Sequence, residues 1–214
     1  MQIALDHITP KPLLDRLSGR GSDIWNQALT FQQEEIIRIK APSGSGKTTL
    51  IHYLYQLRKD YTGSILWDHQ ETFSSHELAK LRATQISIVF QDLRLFPQLT
   101  AKENIFLKKA ISKNEAVSET QIIAMAEQLQ VTHILDQPAG ICSYGEQQRI
   151  AIIRALVQPF QWLLLDEPFS HLDEANTARA AKLIQEVCAQ QHAGMLLTDL
   201  DDDSHFNYTK RYTL

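Results

Sequence analysis

Hydrophobic positions along this chain fall into two kinds of run. Short apolar stretches predict strands buried on both faces: "EEIIRIK" (residues 34–40), "ISIVF" (86–90), "WLLLD" (162–166) and "GMLLT" (194–198). Longer stretches over residues 46–58, 120–130, 145–157 and 173–190 repeat their apolar residues at helical spacing. Strands that alternate with helices predict an α/β fold with a largely parallel sheet. Such sheets bind ligands beyond the carboxyl ends of their strands, so chemistry is expected in the segments that follow each strand.

Composition narrows the reading without redirecting it. A chain of 214 residues suits one well-packed domain, and neither a repeat nor a Gly/Ser linker divides it, so residues 1–214 are expected to form a single unit. The 43% apolar and 21% charged fractions are ordinary for a globular protein. A net charge of −4 gives no general attraction to nucleic acid or an anionic membrane, and no nucleic-acid partner is expected. No apolar run approaches the ~20 residues that cross a bilayer. The start "MQIALDHITPKP" lacks the basic and then apolar pattern of a secretory signal. Cys142 and Cys188 lie far apart without metal-ligand spacing, which fits a reducing, cytoplasmic setting.

The first buried strand runs directly into "APSGSGKTTL" (residues 41–50). Strand, glycine-rich turn, Lys-Thr and helix form the context in which a P-loop is credible. Gly44 and Gly46 let the backbone curl so that successive N–H groups, those of Ser43, Ser45 and Thr49 among them, point at phosphate oxygens. The helix start adds partial positive charge. Lys47 can reach the β- and γ-phosphates of ATP, and the Thr48 hydroxyl can ligate Mg²⁺. The motif asks for glycine where Ala41 stands; one methyl is tolerated there if the backbone angle is ordinary. Downstream, "WLLLDEP" carries Asp166 to a strand end suited to holding the Mg²⁺ shell, and Glu167 is placed to accept a proton from an attacking water. A helix cap is the plainer role for such a carboxylate pair, but a P-loop upstream favours catalysis.

Two further stretches, "VFQDLRLFPQLTAKENI" (residues 89–105) and "CSYGEQQRIAIIRAL" (142–156), complete a series. With them the chain resembles the nucleotide-binding subunits of ABC transporters. "SYGEQ" (143–147) resembles their Leu-Ser-Gly-Gly-Gln signature, Gln91 falls at the Q-loop, and "SHLD" (170–173) looks like the D-loop. The motifs come in the family's order and cover nearly the whole chain. The resemblance implies a P-loop NTPase fold of the ABC ATPase type: a largely parallel core sheet, an antiparallel β subdomain and a small helical signature subdomain at about residues 92–157. It also implies two ATP molecules sandwiched in a head-to-tail dimer, either a homodimer or an asymmetric pair. Ser143, Gly145 and Gln147 would then act on the partner subunit's nucleotide, while Lys47, Thr48, Gln91, Asp166 and Glu167 act on the chain's own, Gln91 also touching Mg²⁺. A serine at a helix start is an N-cap in any case, and both roles can hold together. Leu95, Phe96 and Leu99 fall where the family meets the coupling helices of an integral-membrane permease, and ordinary core packing is the competing role. Docking there implies a place on the cytoplasmic face of the inner membrane. The end at Leu214 is expected to leave no room for a C-terminal regulatory domain. The Q-loop wording resembles the subfamily of lipoprotein-release and macrolide-type exporters.

Three departures stand out: Ala41, Tyr144 in place of the first signature glycine, and Asp199 where the family places its switch histidine. An aspartate lacks the imidazole's donor to the γ-phosphate, and losing one such donor costs about 3 kcal/mol of transition-state stabilisation. His192 precedes the last buried strand and lies at its wrong end, and His205 needs the loop to fold back. Asp199, Asp201 and Asp203 match the first acidic positions of an EF-hand loop, but Ser204 and Lys210 occupy its glycine and glutamate positions. Residues 201–203 therefore read as a solvated turn. Trp25 is the one tryptophan upstream of the P-loop; it is a candidate to stack on adenine, with packing on the sheet as the alternative. Three functions follow: a transporter ATPase, a hydrolysis-impaired nucleotide-gated clamp favoured by Asp199 and Tyr144, and a soluble non-transport ABC ATPase. Intact Glu167 opposes the clamp, and the lack of long heptads opposes the chromosome-maintenance types of the third class.

Overall fold

The computed structural model describes residues 1–14, 21–112, 117–200 and 204–214. An antiparallel sheet holds β1 (Ile3–Pro10), β2 (Ala28–Phe31) and β4 (Tyr61–Trp67), with β1 in the middle. A parallel sheet holds β3 (Ile36–Lys40), β5 (Ile86–Val89), β6 (Trp162–Asp166), β7 (Gly194–Asp199) and β8 (Lys210–Thr213), in the order β5-β6-β7-β3-β8. Both sheets fit the α/β architecture expected.

Residue alternation explains why both faces of the parallel sheet are covered. Leu163, Leu165, Met195 and Leu197 point into one apolar cluster, shared with α3 (Ala101–Ser112), α4 (Glu119–Gln128), α5 (Tyr144–Leu156) and α6 (Glu174–Gln190). Ile37, Ile39, Leu164 and Leu196 point into the other, shared with α1 (Lys47–Leu54) and the antiparallel sheet. Four strands, β3, β5, β6 and β7, read as unbroken apolar runs because their residues are buried on both faces, which is why the pattern found them.

Register decides what reaches the sheet's carboxyl edge. Asp166 pairs with Thr198, and Lys40 pairs with Asp199, so β3, β6 and β7 end side by side. Val89 pairs with Leu165, which brings the loop after β5 to the same edge.

Several elements were not evident from the pattern. In β1 the alternation breaks at a bulge between Asp6 and Thr9, where His7 has φ +48°. The helix α2 (Ser75–Thr84) buries Leu81 alone and is set up by a Ser74–Glu77 capping box rather than by an apolar stripe. α1 stops at Leu54 instead of continuing to residue 58, because Gln56 turns into the left-handed region at φ +59°. Among the described residues no helix is long and apolar enough to cross a membrane.

Candidate functional site

The loop between β3 and α1 is built around Gly46. Its φ of +104° is a conformation L side chains rarely adopt, and a Cβ there would lie 2.9 Å from Leu13 Cδ1 and 3.0 Å from Trp25 Cζ2. Trp25 supports the loop from beneath: it is 5% exposed and its indole N–H donates to the Ser45 carbonyl at 3.3 Å. The packing role foreseen for Trp25 is the one observed. Ala41 is fully buried, and its φ lies outside the left-handed region, which is the condition for tolerating its methyl. Its N–H donates to the Asp199 carbonyl at 3.1 Å, stitching the loop to the end of β7.

Lys47 opens α1 with its side chain 6% exposed and its ammonium heavily engaged. It donates to the carbonyls of Ala41 at 2.8 Å and Pro42 at 3.4 Å, and lies 3.2 Å from Glu167 Oε1. Gln91, just beyond β5, bridges the next pair: Thr48 Oγ1 donates to its Oε1 at 3.2 Å, and its Nε2 donates to Glu167 Oε2 at 3.0 Å. Glu167 adopts φ +47°, an uncommon conformation for a residue with a side chain, and its N–H donates to the Thr198 carbonyl at 3.0 Å. Asp166, 1% exposed, accepts from Thr198 Oγ1 at 3.0 Å. Burial raises its pKa, opposed by hydrogen bonds from Thr48 and Thr198.

These groups surround a cleft of about 230 Å³. Ser43, Gly44, Gly46, Lys47, Thr48, Thr49, Gln91 and Glu167, all candidates from sequence, line it together with Leu13, which was not one. Ser45 faces away, its hydroxyl turned onto the Pro42 carbonyl at 2.7 Å. Asp166 lies at the end of β6, within hydrogen-bonding reach of Thr48.

Ser143, Gly145 and Gln147 stand outside the cleft on the first turn of α5. Ser143 is the N-cap in a closed capping box, its N–H donating to Glu146 Oε2 at 2.8 Å and its hydroxyl to the same oxygen at 2.7 Å. Gln147 donates to the Cys142 carbonyl at 2.8 Å. A Cβ on Gly145 would sit 3.0 Å from the His171 carbonyl, so this turn passes close to the loop after β6. Gln148, missed in the sequence, is buried and joins the two: its amide donates to the Glu167 carbonyl at 3.3 Å and accepts from the His171 N–H at 3.1 Å. Its position directly after the signature was the available clue.

Asp199 ends β7 with its carboxylate accepting from the Leu200 N–H at 2.6 Å. His192 lies at the opposite end of β7, 3.4 Å from Glu34. His205 does return toward the site's neighbourhood, its ring 6.1 Å from that of Phe169. The reading of residues 201–203 as a solvated turn lies outside the described residues. Among the described residues no group of three or more His, Cys, Asp or Glu side chains is placed to hold a metal.

A glycine-rich loop between a parallel strand and a helix, an adjacent strand ending in a buried aspartate, and a glutamine loop beside both define a P-loop NTPase. Comparison with known proteins sharpens that class. A family model described as ABC transporter matches residues 25–170. The uncharacterized ABC transporter ATP-binding protein YvcR of Bacillus subtilis is 34% identical over 81% of this chain and 68% of its own length. The macrolide export ATP-binding/permease protein MacB of Campylobacter jejuni is 31% identical over 84% of this chain, which spans 28% of that protein. The dimeric structure of MJ0796, a bacterial ABC transporter cassette, superposes with a TM-score of 0.79 at 26% identity, covering 93% of this chain and 88% of that one. A post-hydrolysis state of the same cassette, bound to ADP and Pi, superposes at 0.76. The chain belongs to the ABC transporter family as an ATP-binding subunit, and its enzyme class is ATPase.

Proposed function

We propose that this subunit hydrolyses ATP within a head-to-tail dimer and couples dimer closure and reopening to transport by a membrane permease. The observation that carries the reading is the closed network of Lys47, Glu167, Gln91 and Thr48 on the wall of the P-loop cleft. Phosphate oxygens entering the cleft compete for the Lys47 ammonium, and the Glu167 carboxylate released from it becomes the base for an in-line water. Backbone N–H groups of the loop and the start of α1 cradle the phosphates. The oxygens of Thr48, Gln91 and Asp166 form a hard-donor set that fits Mg²⁺, and these residues would hold it. Held there, Mg²⁺ would supply charge neutralisation to the triphosphate.

Ser143, Gly145 and Gln147 act on the partner subunit's nucleotide, as part of a helical signature subdomain spanning about residues 92–157. The dimeric cassette of similar fold supports this arrangement. Docking on the permease uses a groove of about 150 Å³ between the glutamine loop and α3, lined by Phe96, Leu107 and Ile111 with Lys108 at its side. Phe96 is 52% exposed, as a docking residue should be, whereas Leu95 packs against the core and Leu99 is half-buried. Such docking puts the subunit on the cytoplasmic face of the inner membrane.

A second reading, the hydrolysis-impaired clamp, is favoured by Asp199, which offers a carboxylate in the place of an imidazole donor. Turnover by purified wild type and by Asp199→His separates the two. A clamp gives negligible wild-type turnover with intact ATP binding, and a transport ATPase gives robust turnover from the wild type. Absence of ATP binding at millimolar nucleotide contradicts both.

A further inference from the structure

Tyr144 occupies the first position of α5, where the signature it resembles has glycine. Although 43% exposed, both ends of its side chain are engaged. The hydroxyl donates to the Gln91 carbonyl at 3.2 Å, and the ring lies 4.2 Å from that of His171, at an interplanar angle of 61°. We propose that Tyr144 is a positioning residue for Gln91, tying the signature turn to the nucleotide cleft within one chain; this rests on the cleft being the site of ATP hydrolysis.

Gln91 lies on an irregular loop in which Leu93 and Arg94 have φ of +56° and +48°. The peptide that carries the Gln91 carbonyl lies beyond the end of β5 at Val89, outside that strand's ladder. Its side chain nevertheless spans Thr48 and Glu167, so a small rotation of that peptide misplaces both contacts. The Tyr144 hydroxyl holds the carbonyl of the same residue. The other end rests on His171, whose N–H is held by Gln148, which also binds the Glu167 carbonyl. One turn of α5 therefore reaches both flanks of the reacting centre: Gln91 through Tyr144 and Glu167 through Gln148. Glycine at position 144 can make neither of the Tyr144 contacts. The hydroxyl of neighbouring Ser143 is turned onto Glu146, so the link to the cleft comes from the tyrosine.

The test uses the purified 214-residue chain and Tyr144→Phe, which keeps the ring on His171 and removes only the hydroxyl. Loss of one neutral hydrogen bond that aims a catalytic group predicts a fall in kcat of about fivefold with KM for ATP unchanged. In a Gln91→Ala background the same substitution is expected to change nothing further, because the tyrosine acts through the glutamine. Amide exchange over residues 90–96 is expected to speed up in Tyr144→Phe, a readout that needs no turnover. Unchanged kcat together with unchanged exchange overturns the proposal, and so do losses that simply add in the double variant. Binding of a fluorescent ATP analogue by the wild type reports on the cleft separately: no binding refutes the ATP-site reading, whereas binding with an inert Tyr144→Phe refutes only the tyrosine's role.

Discussion

The P-loop cleft and the first turn of α5 lie near one another yet are organised in opposite ways. In the cleft, polar side chains from three segments distant in sequence satisfy one another: Lys47 with Glu167, Glu167 with Gln91, Gln91 with Thr48. In the α5 turn the groups foreseen to meet a partner's nucleotide close locally, Ser143 on Glu146 and Gln147 on Cys142, while Tyr144 and Gln148 reach back to the cleft. The first arrangement is a preassembled half-site that a triphosphate can enter by displacing Glu167 from Lys47. The second is a cap that needs an outside anion to draw it open, because the Glu146 carboxylate already holds the N–H and hydroxyl of Ser143. A family member that works as a dimer is expected to show this contrast: one half complete within the chain, the other presented to a partner.

The sharpest way to break the contrast is to remove a group from the preassembled half. Lys47→Ala deletes the ammonium that competes for phosphate, and we expect nucleotide affinity to fall by at least ~100-fold in equilibrium binding. Glu167→Gln should leave ATP binding intact while single-turnover hydrolysis drops by roughly 10²–10⁴-fold, the range of a lost general base. Asp199→His supplies an imidazole at the end of β7; if one donor is worth about 3 kcal/mol, turnover should rise by up to ~100-fold. A smaller effect belongs to the turn. Glu146→Gln removes the competing negative charge while keeping an acceptor for the cap, so ATP-dependent dimerisation followed by light scattering should strengthen by a few-fold.

The smallest effect concerns stability at the groove between the glutamine loop and α3. Lys108 is held down at about 8 by burial, then by Arg154 and Arg82. Below pH 8 native and unfolded chains both carry the proton, and burying the charge is a constant cost. As pH rises from about 8 toward the ordinary 10.5, the native chain sheds the proton first and stability increases. Lys108→Met should raise the melting temperature by about 2–4 °C at neutral pH and abolish that rise. Thermal melts of both forms across this pH window check it.

What the sequence disclosed follows the same division. Four of the five parallel strands were legible because both faces are buried, leaving unbroken apolar runs such as residues 162–166; β8, half-buried to exposed along Lys210–Thr213, was not. The cleft was legible because Gly46 and Lys47 serve a phosphate loop under strict backbone demands. The antiparallel sheet was not visible in the apolar pattern, because the β1 bulge at residues 6–9 disrupts its alternation. Leu13 was missed because it reaches the cleft from the 3-10 turn Lys11–Leu13 that follows β1, far from the loop in sequence. Gln148 and the Tyr144–Gln91 link were missed because one helix turn meets two loops only after the parallel sheet has set their spacing. Sequence order carries no information on such contacts, whereas strand register does.

In the proposed dimer a complete site needs the cleft of one chain and the α5 turn of another. Mixing two inactive variants checks this: Lys47→Ala, which spoils the cleft, with Ser143→Glu, which spoils the turn. A mixed dimer contains one intact composite site, so ATPase activity should reappear on mixing, approaching a quarter of the wild-type rate for random pairing at equal amounts. A mixture as inactive as its components, with both variants folded and the wild type active, would contradict the claim.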